Sequence, residues 1–320
     1  MSIKKIGILT SGGDAPGMNA IIYSVVKSAV NKGIDVVGVC RGYNGLINGD
    51  VVPLNIDDVT DIVQRGGTIL YSARCLEFKT DEGFAKAIKV CSENKIDGLI
   101  VVGGDGTFQG AYKLFKAGVP CIGIPGTIDN DISCTEYTIG FDTAVNTAIS
   151  MVDRLCDTIA SHDRCSVVEV MGRSSGYIAL DVGVSCGANY IIIPEFKFNK
   201  EDLFSTMKNG LKKGIKHFII VVAEGLLNVG ELAKEIEKNV GVESRSTVLG
   251  HVQRGGSPTA KDRVCAIRFG TKAVELLLNG EHGKVIGLKD NELSVYDIPK
   301  GLEMKKEFPA DLFKMMNEIY

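Results

Sequence analysis

The 320-residue sequence has no tryptophan and only four histidines. Those histidines lack the spacing of a zinc site, and there is no Walker A motif of the P-loop type. No apolar stretch approaches the length that spans a bilayer, and no signal-peptide-like apolar region follows the first residue. The sequence therefore argues against a zinc site, a P-loop nucleoside triphosphatase and a membrane or exported protein.

Neither sign of charge dominates, and paired cysteines are missing as well. The net charge of −3 and the pI near 5.9 argue against a general nucleic-acid or anionic-membrane binder. Nine cysteines, an odd number without Cys-x-x-Cys pairs, indicate reduced thiols and a cytoplasmic protein. The length predicts two domains, although no Pro- or Ser-rich linker separates them.

Apolar runs of strand length alternate with amphipathic stretches of helical period along the chain. Such alternation predicts an α/β fold with mostly parallel sheets and right-handed crossovers. The predicted strands cover residues 4–10, 35–40, 97–102, 119–124, 166–171, 190–193, 218–223 and 284–288. The predicted helices cover residues 19–32, 106–116, 143–160, 200–213, 229–240 and 258–279.

Two carboxylates follow the predicted strand 119–124, in the stretch Pro125-Gly126-Thr127-Ile128-Asp129-Asn130-Asp131. Ligands of open α/β sheets bind at the carboxyl ends of the strands. One aspartate there could accept the proton of an attacking hydroxyl while the other lies near a metal-bound phosphate. The same residues also suit a turn and a helix N-cap, so this stretch alone leaves both interpretations open.

Gly-Gly-Asp follows a predicted strand twice, at Gly12-Gly13-Asp14 and at Gly103-Gly104-Asp105. A strand, a glycine-rich loop and a helix form a phosphate cradle from backbone N–H groups and a helix N-terminus. Asp105 could orient the water ligands of Mg²⁺, or it could be the N-cap of the helix 106–116. We expect both strand ends to face one cleft.

Four arginines and a histidine mark strand ends in the second half of this acidic chain: Arg164, Arg173, Arg245, Arg254 and His251. Arginine presents a bidentate fork to phosphate, so the set predicts an anion site. Each arginine taken singly also fits a surface ion pair.

Six stretches, in this order, resemble the bacterial ATP-dependent 6-phosphofructokinase family between about Ile6 and Tyr296. They are Leu9-Thr10-Ser11-Gly12-Gly13-Asp14, Arg65-Gly66-Gly67-Thr68, residues 103–107, residues 125–131, Glu169-Val170-Met171-Gly172-Arg173 and residues 247–258. The resemblance implies phosphoryl transfer from MgATP to the C1 hydroxyl of fructose 6-phosphate, which gives fructose 1,6-bisphosphate and ADP in glycolysis.

The resemblance also implies two similar three-layer α/β domains with mostly parallel sheets and the active site in the cleft between them. Residues 1–140 and about 255–302 would form the ATP-binding domain. Residues 141–254 and about 303–320 would form the fructose 6-phosphate-binding domain.

Residue roles follow from the same resemblance. Asp129 matches the general base, and Thr127, Asp131 and Arg173 match the other catalytic residues. The ATP site is matched by Gly13, Arg74, Cys75, Gly104, Asp105, Gly106 and Thr107, with Asp105 on the Mg²⁺ side; the family usually has Ser at position 107. The sugar-phosphate site is matched by Thr127, Asp129, Met171, Gly172, Arg173, Glu224, His251 and Arg254. Arg164 and Arg245 match arginines that come from a neighbouring subunit, which implies a homotetramer with shared active sites.

Two glycines favour ATP as the donor. Pyrophosphate-using relatives typically have Asp at the position of Gly106 and Lys at that of Gly126, and an Asp at 106 would lie where the α-phosphate should be. A pyrophosphate-dependent enzyme and a non-catalytic sugar-phosphate sensor are the alternatives. The NAD kinase and diacylglycerol kinase group shares Gly-Gly-Asp-Gly-Thr but not residues 125–131 or 251–258.

The sequence departs from the family at a second phosphate site, where ADP typically activates and phosphoenolpyruvate inhibits. The usual arginines are replaced by Tyr23, Lys27, Ile56 and Cys156, one usual lysine by Ile215 and the usual glutamate by Asn189, while Lys213 and Lys216 remain. We therefore expect little response to either effector.

Overall fold

The computed structural model describes residues 3–319, which form a mixed α/β fold with mostly parallel sheets, as predicted. In this part of the chain the strands are β1 Lys5–Thr10, β2 Asp35–Val39, β3 Val51–Leu54, β4 Gly98–Gly103, β5 Cys121–Pro125, β6 Cys165–Val170, β7 Tyr190–Ile192, β8 Phe218–Ala223, β9 Ser244–Val248, β10 Lys284–Lys289 and β11 Glu292–Asp297. The helices are α1 Met18–Val30, α2 Tyr43–Asn48, α3 Asp81–Glu93, α4 Asp105–Lys116, α5 Phe141–His162, α6 Tyr177–Ser185, α7 Lys200–Lys212, α8 Val229–Val240, α9 Ala260–Leu278, α10 Ile298–Glu303 and α11 Ala310–Ile319.

The chain forms two compact units. The first takes the chain up to Ile128, then Ile132–Thr143 and Arg254–Lys306. The second takes Asp129–Asp131, Ala144–Gln253 and the chain from Glu307 onward. The residues on either side of the 129–131 turn thus belong to the first unit, whereas the turn itself belongs to the second.

The first unit contains a seven-stranded sheet in the order β11-β10-β5-β4-β1-β2-β3. The five inner strands are parallel, and both edge strands are antiparallel. Strand β4 is buried at every residue, as expected of a parallel strand covered on both faces. The sequence interpretation missed both edge strands, β3 and β11. Strand β11 follows β10 through a turn in which Asp290 and Asn291 have φ of 50° and 61°, the conformation of a type I′ hairpin.

The second unit contains a four-stranded parallel sheet in the order β7-β8-β6-β9. Strands β6 and β8 are almost entirely buried, and apolar side chains of α7 and α8 pack against one face of the sheet. Strand β9 was not predicted, because the sequence Ser-Arg-Ser-Thr-Val is largely polar. Its place at the sheet edge, with three of five residues exposed, accounts for that composition.

Candidate active site

The first unit changes its direction of winding between β1 and β4. From β1 the chain moves to β2 on one side, whereas from β4 it moves to β5 on the other. Such a switch point leaves a crevice at the carboxyl ends of the strands, where open α/β sheets bind ligands. Both Gly-Gly-Asp loops follow these two strands, and Ser11 N–H donates to the Val102 carbonyl at 2.9 Å. The two loops therefore lie side by side, as predicted.

The loop after β5 continues this row of strand ends. Gly126 N–H donates to the Gly103 carbonyl at 3.1 Å. The loops after β1, β4 and β5 are thus joined across three neighbouring strands, so Thr127 emerges at the edge of the sheet that carries both glycine loops.

Helix α4 opens to solvent at its first turn, where Asp105 and Gly106 are exposed. An ideal Cβ on Gly106 meets no atom of the described chain within 4 Å. Glycine in a helix costs about 1 kcal/mol of stability relative to alanine. Because no neighbouring atom excludes a side chain at position 106, packing does not explain this glycine. The free N–H groups and the dipole of a helix start attract phosphate, and Gly106 lets an anion approach them closely.

The N-cap interpretation of Asp105 is wrong. Helix α4 starts one residue earlier than predicted, so Gly104 is the N-cap and Asp105 is the first helical residue. The exposed carboxylate-bearing residue Asp105 therefore lies in the first turn of α4.

The start of α1 is buried, in contrast to the exposed first turn of α4. Gly17 turns the chain with φ of 104°, and the first helical residues, Met18 and Asn19, are buried. The Asn19 side chain is engaged with the 65–69 loop: its amide donates to the carbonyls of Arg65 and Gly66, and its oxygen accepts from Ile69 N–H. Of this loop and helix, the exposed Gly13 remains available to a ligand.

Residues 72–75 lie beside the first glycine loop. The Ser72 hydroxyl donates to the Gly12 carbonyl at 2.6 Å, and Gly12 N–H donates to the Ala73 carbonyl at 3.5 Å. Arg74 is exposed next to this contact, whereas the half-buried Cys75 packs against the apolar core. The structure therefore brings Arg74 and Cys75 to the loop that carries Gly13.

Arg254 lies over the same loop, within the first unit. Its Nη1 donates to the Asp14 carbonyl at 3.1 Å, and a Cβ on Gly13 would come within 2.6 Å of that nitrogen. A side chain at position 13 would displace the Arg254 guanidinium group from this position, a contact that the sequence did not reveal.

Tyr43 is a residue of this site that the sequence interpretation missed. Its hydroxyl donates to the Thr107 carbonyl at 2.6 Å, and its ring stacks on Phe78 at 4.1 Å. A Cβ on Gly110 would come within 2.8 Å of the ring. Tyr43 therefore anchors the first turn of α4. Burial raises the pKa of the Tyr43 hydroxyl, so that it stays protonated and remains a donor. The sequence signal was a Gly-Tyr pair after β2, which resembled an ordinary turn.

The 125–131 stretch forms a turn and starts no helix, since α5 begins only at Phe141. The N-cap interpretation of Asp129 and Asp131 is therefore wrong, whereas the turn interpretation is compatible with a functional one. Asp129 is 5% exposed, and the following Asn130 has φ of 51°. A buried carboxylate at a sheet edge, next to a residue in the left-handed region, is costly to stability and typical of a functional site.

In the second unit, Glu224 at the end of β8 holds the loop that follows β6. Its Oε1 accepts from the N–H groups of Gly172 and Arg173 at 3.2 and 2.7 Å. Arg173 is exposed with φ of 58°, a strained conformation for a non-glycine residue. The Ser175 hydroxyl donates to the Asp129 carbonyl at 2.8 Å. Glu224 and the 171–173 loop are therefore brought together with the Asp129 turn.

The turn after β9 is fixed to the same loop. The side chain of Gln253, with 0% exposure, accepts from Met171 N–H at 3.2 Å. His251 is exposed on this turn, at the carboxyl edge of the sheet. Burial, and then the charge of Glu224, raise the pKa of Glu169 on β6. This edge thus holds a carboxylate pair and an exposed arginine and histidine.

Arg164 and Arg245 lie at the opposite edge of this sheet. Arg164 precedes β6, and Arg245 pairs with Ser166 near the amino end of β9. Both guanidinium groups bind the carboxylate of Glu243, with Arg164 Nε at 2.9 Å from it. Six strand residues span about 20 Å, so neither arginine reaches the 171–173 loop of its own chain. The bond to Arg164 also lowers the pKa of Glu243.

Several residues expected at the second phosphate site are engaged in other contacts. The Asn189 side chain accepts from Ile219 N–H at 2.8 Å, and Ile215 packs against the apolar cluster of the second unit. Lys27 lies over the ring of Tyr23 at 5.8 Å. Burial, followed by the charge of Asp153, raises the pKa of Cys156. Ile56 is half-buried, and Lys213 and Lys216 are exposed.

Metal ligation and membrane insertion can be judged for the described residues. In residues 3–319 there is no group of three or more His, Cys, Asp or Glu side chains placed to hold a metal ion. A single carboxylate at an exposed helix start still fits Mg²⁺, which keeps several waters and takes its other ligands from the substrate phosphates. None of the helices between residues 3 and 319 is long and apolar enough to cross a membrane. The nine cysteines are all free.

A parallel α/β fold with glycine loops and an open helix start at its switch point defines a protein that handles phosphorylated ligands. The phosphofructokinase family model matches residues 5–277 of this chain. The chain is 52% identical to ATP-dependent 6-phosphofructokinase 1 of Clostridium perfringens over 99% of both sequences. It is 51% identical to ATP-dependent 6-phosphofructokinase of Halothermothrix orenii, over 98% of this chain and 99% of the relative. The chain therefore belongs to the phosphofructokinase family.

Solved structures agree with this assignment. Phosphofructokinase from Saccharomyces cerevisiae superposes with a TM-score of 0.91 and 32% identity. The match covers 98% of this chain but only 50% of the yeast chain. The Pichia pastoris phosphofructokinase gives a TM-score of 0.89 and 34% identity over 100% of this chain, which spans 36% of that polypeptide.

Proposed function

We propose that this chain transfers the γ-phosphoryl group of MgATP to the C1 hydroxyl of fructose 6-phosphate, the committed step of glycolysis. The observation that carries this proposal is the open first turn of α4, where Gly106 leaves a helix start accessible beside the loops that carry Gly13 and Thr127. The chain is a kinase, and ATP is its phosphoryl donor. A coupled assay of the purified protein with fructose 6-phosphate and MgATP tests the proposal, and failure to form fructose 1,6-bisphosphate would refute it.

The nucleotide phosphates bind along the row of strand ends. Backbone N–H groups of residues 104–107 and of the Gly13 loop take the phosphate oxygens, and the Arg74 guanidinium adds a positive charge. Asp105 would hold Mg²⁺ through its water ligands, and the ion, when bound, neutralises charge on the phosphates.

Asp129 accepts the proton of the C1 hydroxyl as that oxygen attacks phosphorus. The Ser175 bond to the Asp129 carbonyl fixes the backbone of this turn, which keeps the carboxylate oriented. Thr127 and Asp131 flank the base, and the exposed Arg173 stabilises charge on the transferring group. Phosphoryl transfer depends on such positioning and charge stabilisation more than on covalent chemistry.

The sugar phosphate binds at the carboxyl edge of the second unit's sheet. Met171, Gly172 and Glu224 surround the sugar, and His251 contacts it. Arg164 and Arg245 lie at the other edge of the same sheet, which supports the proposal that they complete the site of a neighbouring subunit. We therefore propose a homotetramer whose active sites are shared between subunits.

The alternatives lack the support that this assignment has. A non-catalytic sugar-phosphate sensor would not need Thr127, Asp105 and the buried Asp129 together. A kinase of the NAD or diacylglycerol type would account for the α4 loop but not for the 171–173 loop that Glu224 holds. Glycolysis and the nine free thiols favour the cytoplasm as the location.

Gly106→Asp should weaken ATP binding with little effect on the sugar phosphate. The protein leaves space for this side chain, so folding should be preserved, while a carboxylate facing phosphate costs several kcal/mol. We expect the KM for ATP to rise at least about tenfold, and Gly106→Asn, which has the same size without the charge, to show a smaller rise. Initial-rate kinetics with each substrate varied will measure this.

Initial-rate kinetics with pyrophosphate in place of ATP test the choice of phosphoryl donor. Gly126→Lys is a poorer probe, because a Cβ there would lie 2.8 Å from Val102 Cγ1 and would disturb the fold. Preferential use of pyrophosphate over ATP by the unmodified enzyme, under matched conditions, would contradict the interpretation of both glycines.

ADP and phosphoenolpyruvate should have little effect at millimolar concentration. Four cations are missing at Tyr23, Ile56, Cys156 and Ile215, and each charge-assisted bond contributes about 1.5–3 kcal/mol. Even discounted for non-additivity, effector affinity should be lower by roughly 10³-fold or more. Saturation curves for fructose 6-phosphate with and without each effector will show this. A clear shift of half-saturation that Lys213→Ala abolishes would mean that the site still works.

A further inference from the structure

A buried carboxylate in the first unit is not explained by any role assigned so far. Asp262, on the first turn of α9, is 0% exposed. Its Oδ1 accepts from the Tyr137 hydroxyl and from Gly140 N–H, at 2.5 and 2.7 Å. Its Oδ2 accepts from the N–H and the hydroxyl of Thr143, at 2.9 and 2.5 Å. One carboxylate thus binds four donors of a single segment, residues 137–143, which is called the strap below.

The strap in turn holds the backbone that leads to Asp129. Ile139 N–H donates to the Pro125 carbonyl at 3.0 Å, and residues 126 and 139 form a parallel bridge. The Thr138 hydroxyl donates to the Thr127 carbonyl at 2.6 Å. The strap therefore fixes the peptide groups of residues 125–127, directly before the turn that carries Asp129.

The conformation of the strap depends on these hydrogen bonds. Gly140 has φ of 104°, and a Cβ on it would come within 2.6 Å of the Ala15 side chain. Glycine is the residue that adopts this conformation at low cost, so the local sequence does not enforce it. The bond from Gly140 N–H to Asp262 holds the turn in place.

We infer that Asp262 is a positioning residue for phosphoryl transfer, which acts by holding the strap and, through it, the Pro125–Thr127 backbone. This inference rests on the roles proposed for Thr127 and Asp129. Asp262 lies in the sequence Thr259-Ala260-Lys261-Asp262, the pattern of a capping box. Only half of that motif is used: Thr259 caps Asp262 N–H at 3.3 Å, whereas Thr259 N–H donates to Thr143 and not to Asp262. The carboxylate is committed to the strap instead.

Asp262→Asn is the sharpest test, because it keeps the number of non-hydrogen atoms and cannot accept from all four donors. Whichever way the amide lies, its NH₂ faces a backbone N–H, either that of Gly140 or that of Thr143. Displacements of about 1 Å far from the reacting atoms can lower turnover by about 100-fold. We expect kcat to fall about 10- to 100-fold, while the KM values for ATP and fructose 6-phosphate change less than about threefold.

Thr259→Ala is the matched control. It removes the cap at the start of the same helix and lowers stability, but it leaves the carboxylate and its four donors in place. Both variants are to be assayed well below their unfolding temperatures, and the folded fraction is to be measured by circular dichroism. A kcat within about twofold of the unmodified enzyme for Asp262→Asn, or an equal loss of kcat in Thr259→Ala, would overturn the inference.

Tyr137→Phe decides the matter if Asp262→Asn does not fold. This variant removes one of the four donors, so kcat should fall by about three- to tenfold with KM values unchanged, and an unchanged kcat would overturn the inference. Asp129→Asn, assayed in parallel, separates this inference from the proposed site. An inactive Asp129→Asn beside a fully active Asp262→Asn would refute only the positioning role, whereas an active Asp129→Asn would refute the base assignment itself.

Discussion

Asp129→Asn should lower turnover by roughly 10²–10⁴-fold with substrate affinity little changed. Asparagine keeps the size and most of the hydrogen bonding of the side chain, but it cannot accept the proton of the sugar hydroxyl. The bond from Ser175 reaches the backbone carbonyl of residue 129, so the turn itself should be preserved. Steady-state kinetics will give kcat and both KM values.

Asp131→Asn is the matched control for this prediction. It makes the same chemical change two residues away, in the same turn, and Asp131 is assigned beside the base and not as the base. Its turnover should therefore fall much less than that of Asp129→Asn. A variant of Asp129 that keeps more than about a tenth of normal turnover would remove the residue from the base role.

Mixed oligomers of two impaired variants should recover activity. Asp129→Asn lacks the base, and Arg164→Ser lacks a cation that, on the proposed arrangement, completes the site of a neighbour. Random exchange of equal amounts should give about one quarter of sites with both residues intact, since each needs one intact residue from either partner. The assay is to be run with fructose 6-phosphate below the raised KM of the Arg164 variant, so that background activity stays low.

The geometry of the second unit is the reason for expecting this recovery. Arg164 and Arg245 share the Glu243 carboxylate at the amino edge of the sheet, about a strand length from the 171–173 loop. Each variant taken alone through the exchange procedure is the control. Absence of recovery after verified subunit exchange would mean that the sites are complete within one chain.

Local chemistry made much of this molecule predictable. The inner strands, such as β4 and β8, are continuous apolar runs, and their ends carry the Gly-Gly-Asp loops and Glu224. Burial of a strand on both faces is recorded in its own residues. The parallel α/β architecture and the grouping of both glycine loops could therefore be inferred from the sequence alone.

The two glycine loops look alike in the sequence, and the sequence could not show which of the following helix starts is exposed. Both glycine loops precede a helix, yet only α4 opens its first turn, because Asn19 ties the start of α1 to the 65–69 loop. The polar edge strand β9 was missed for a similar reason, since its pairing with β6 and not its composition makes it a strand.

Tertiary structure alone decided which distant residues cooperate. Asp262 binds Thr143 across 119 positions of sequence, and Glu224 holds Arg173 across 51. Arg164 and Met171, only seven positions apart, lie at opposite ends of one strand. Periodicity and turn chemistry report how an element is buried and where it ends, but the partner of a polar side chain depends on which elements pack together. The sequence therefore predicted which residue types lie in the loops and where the loops lie. The hydrogen bonds that hold those loops depend on the packing of strands and helices far apart in the chain.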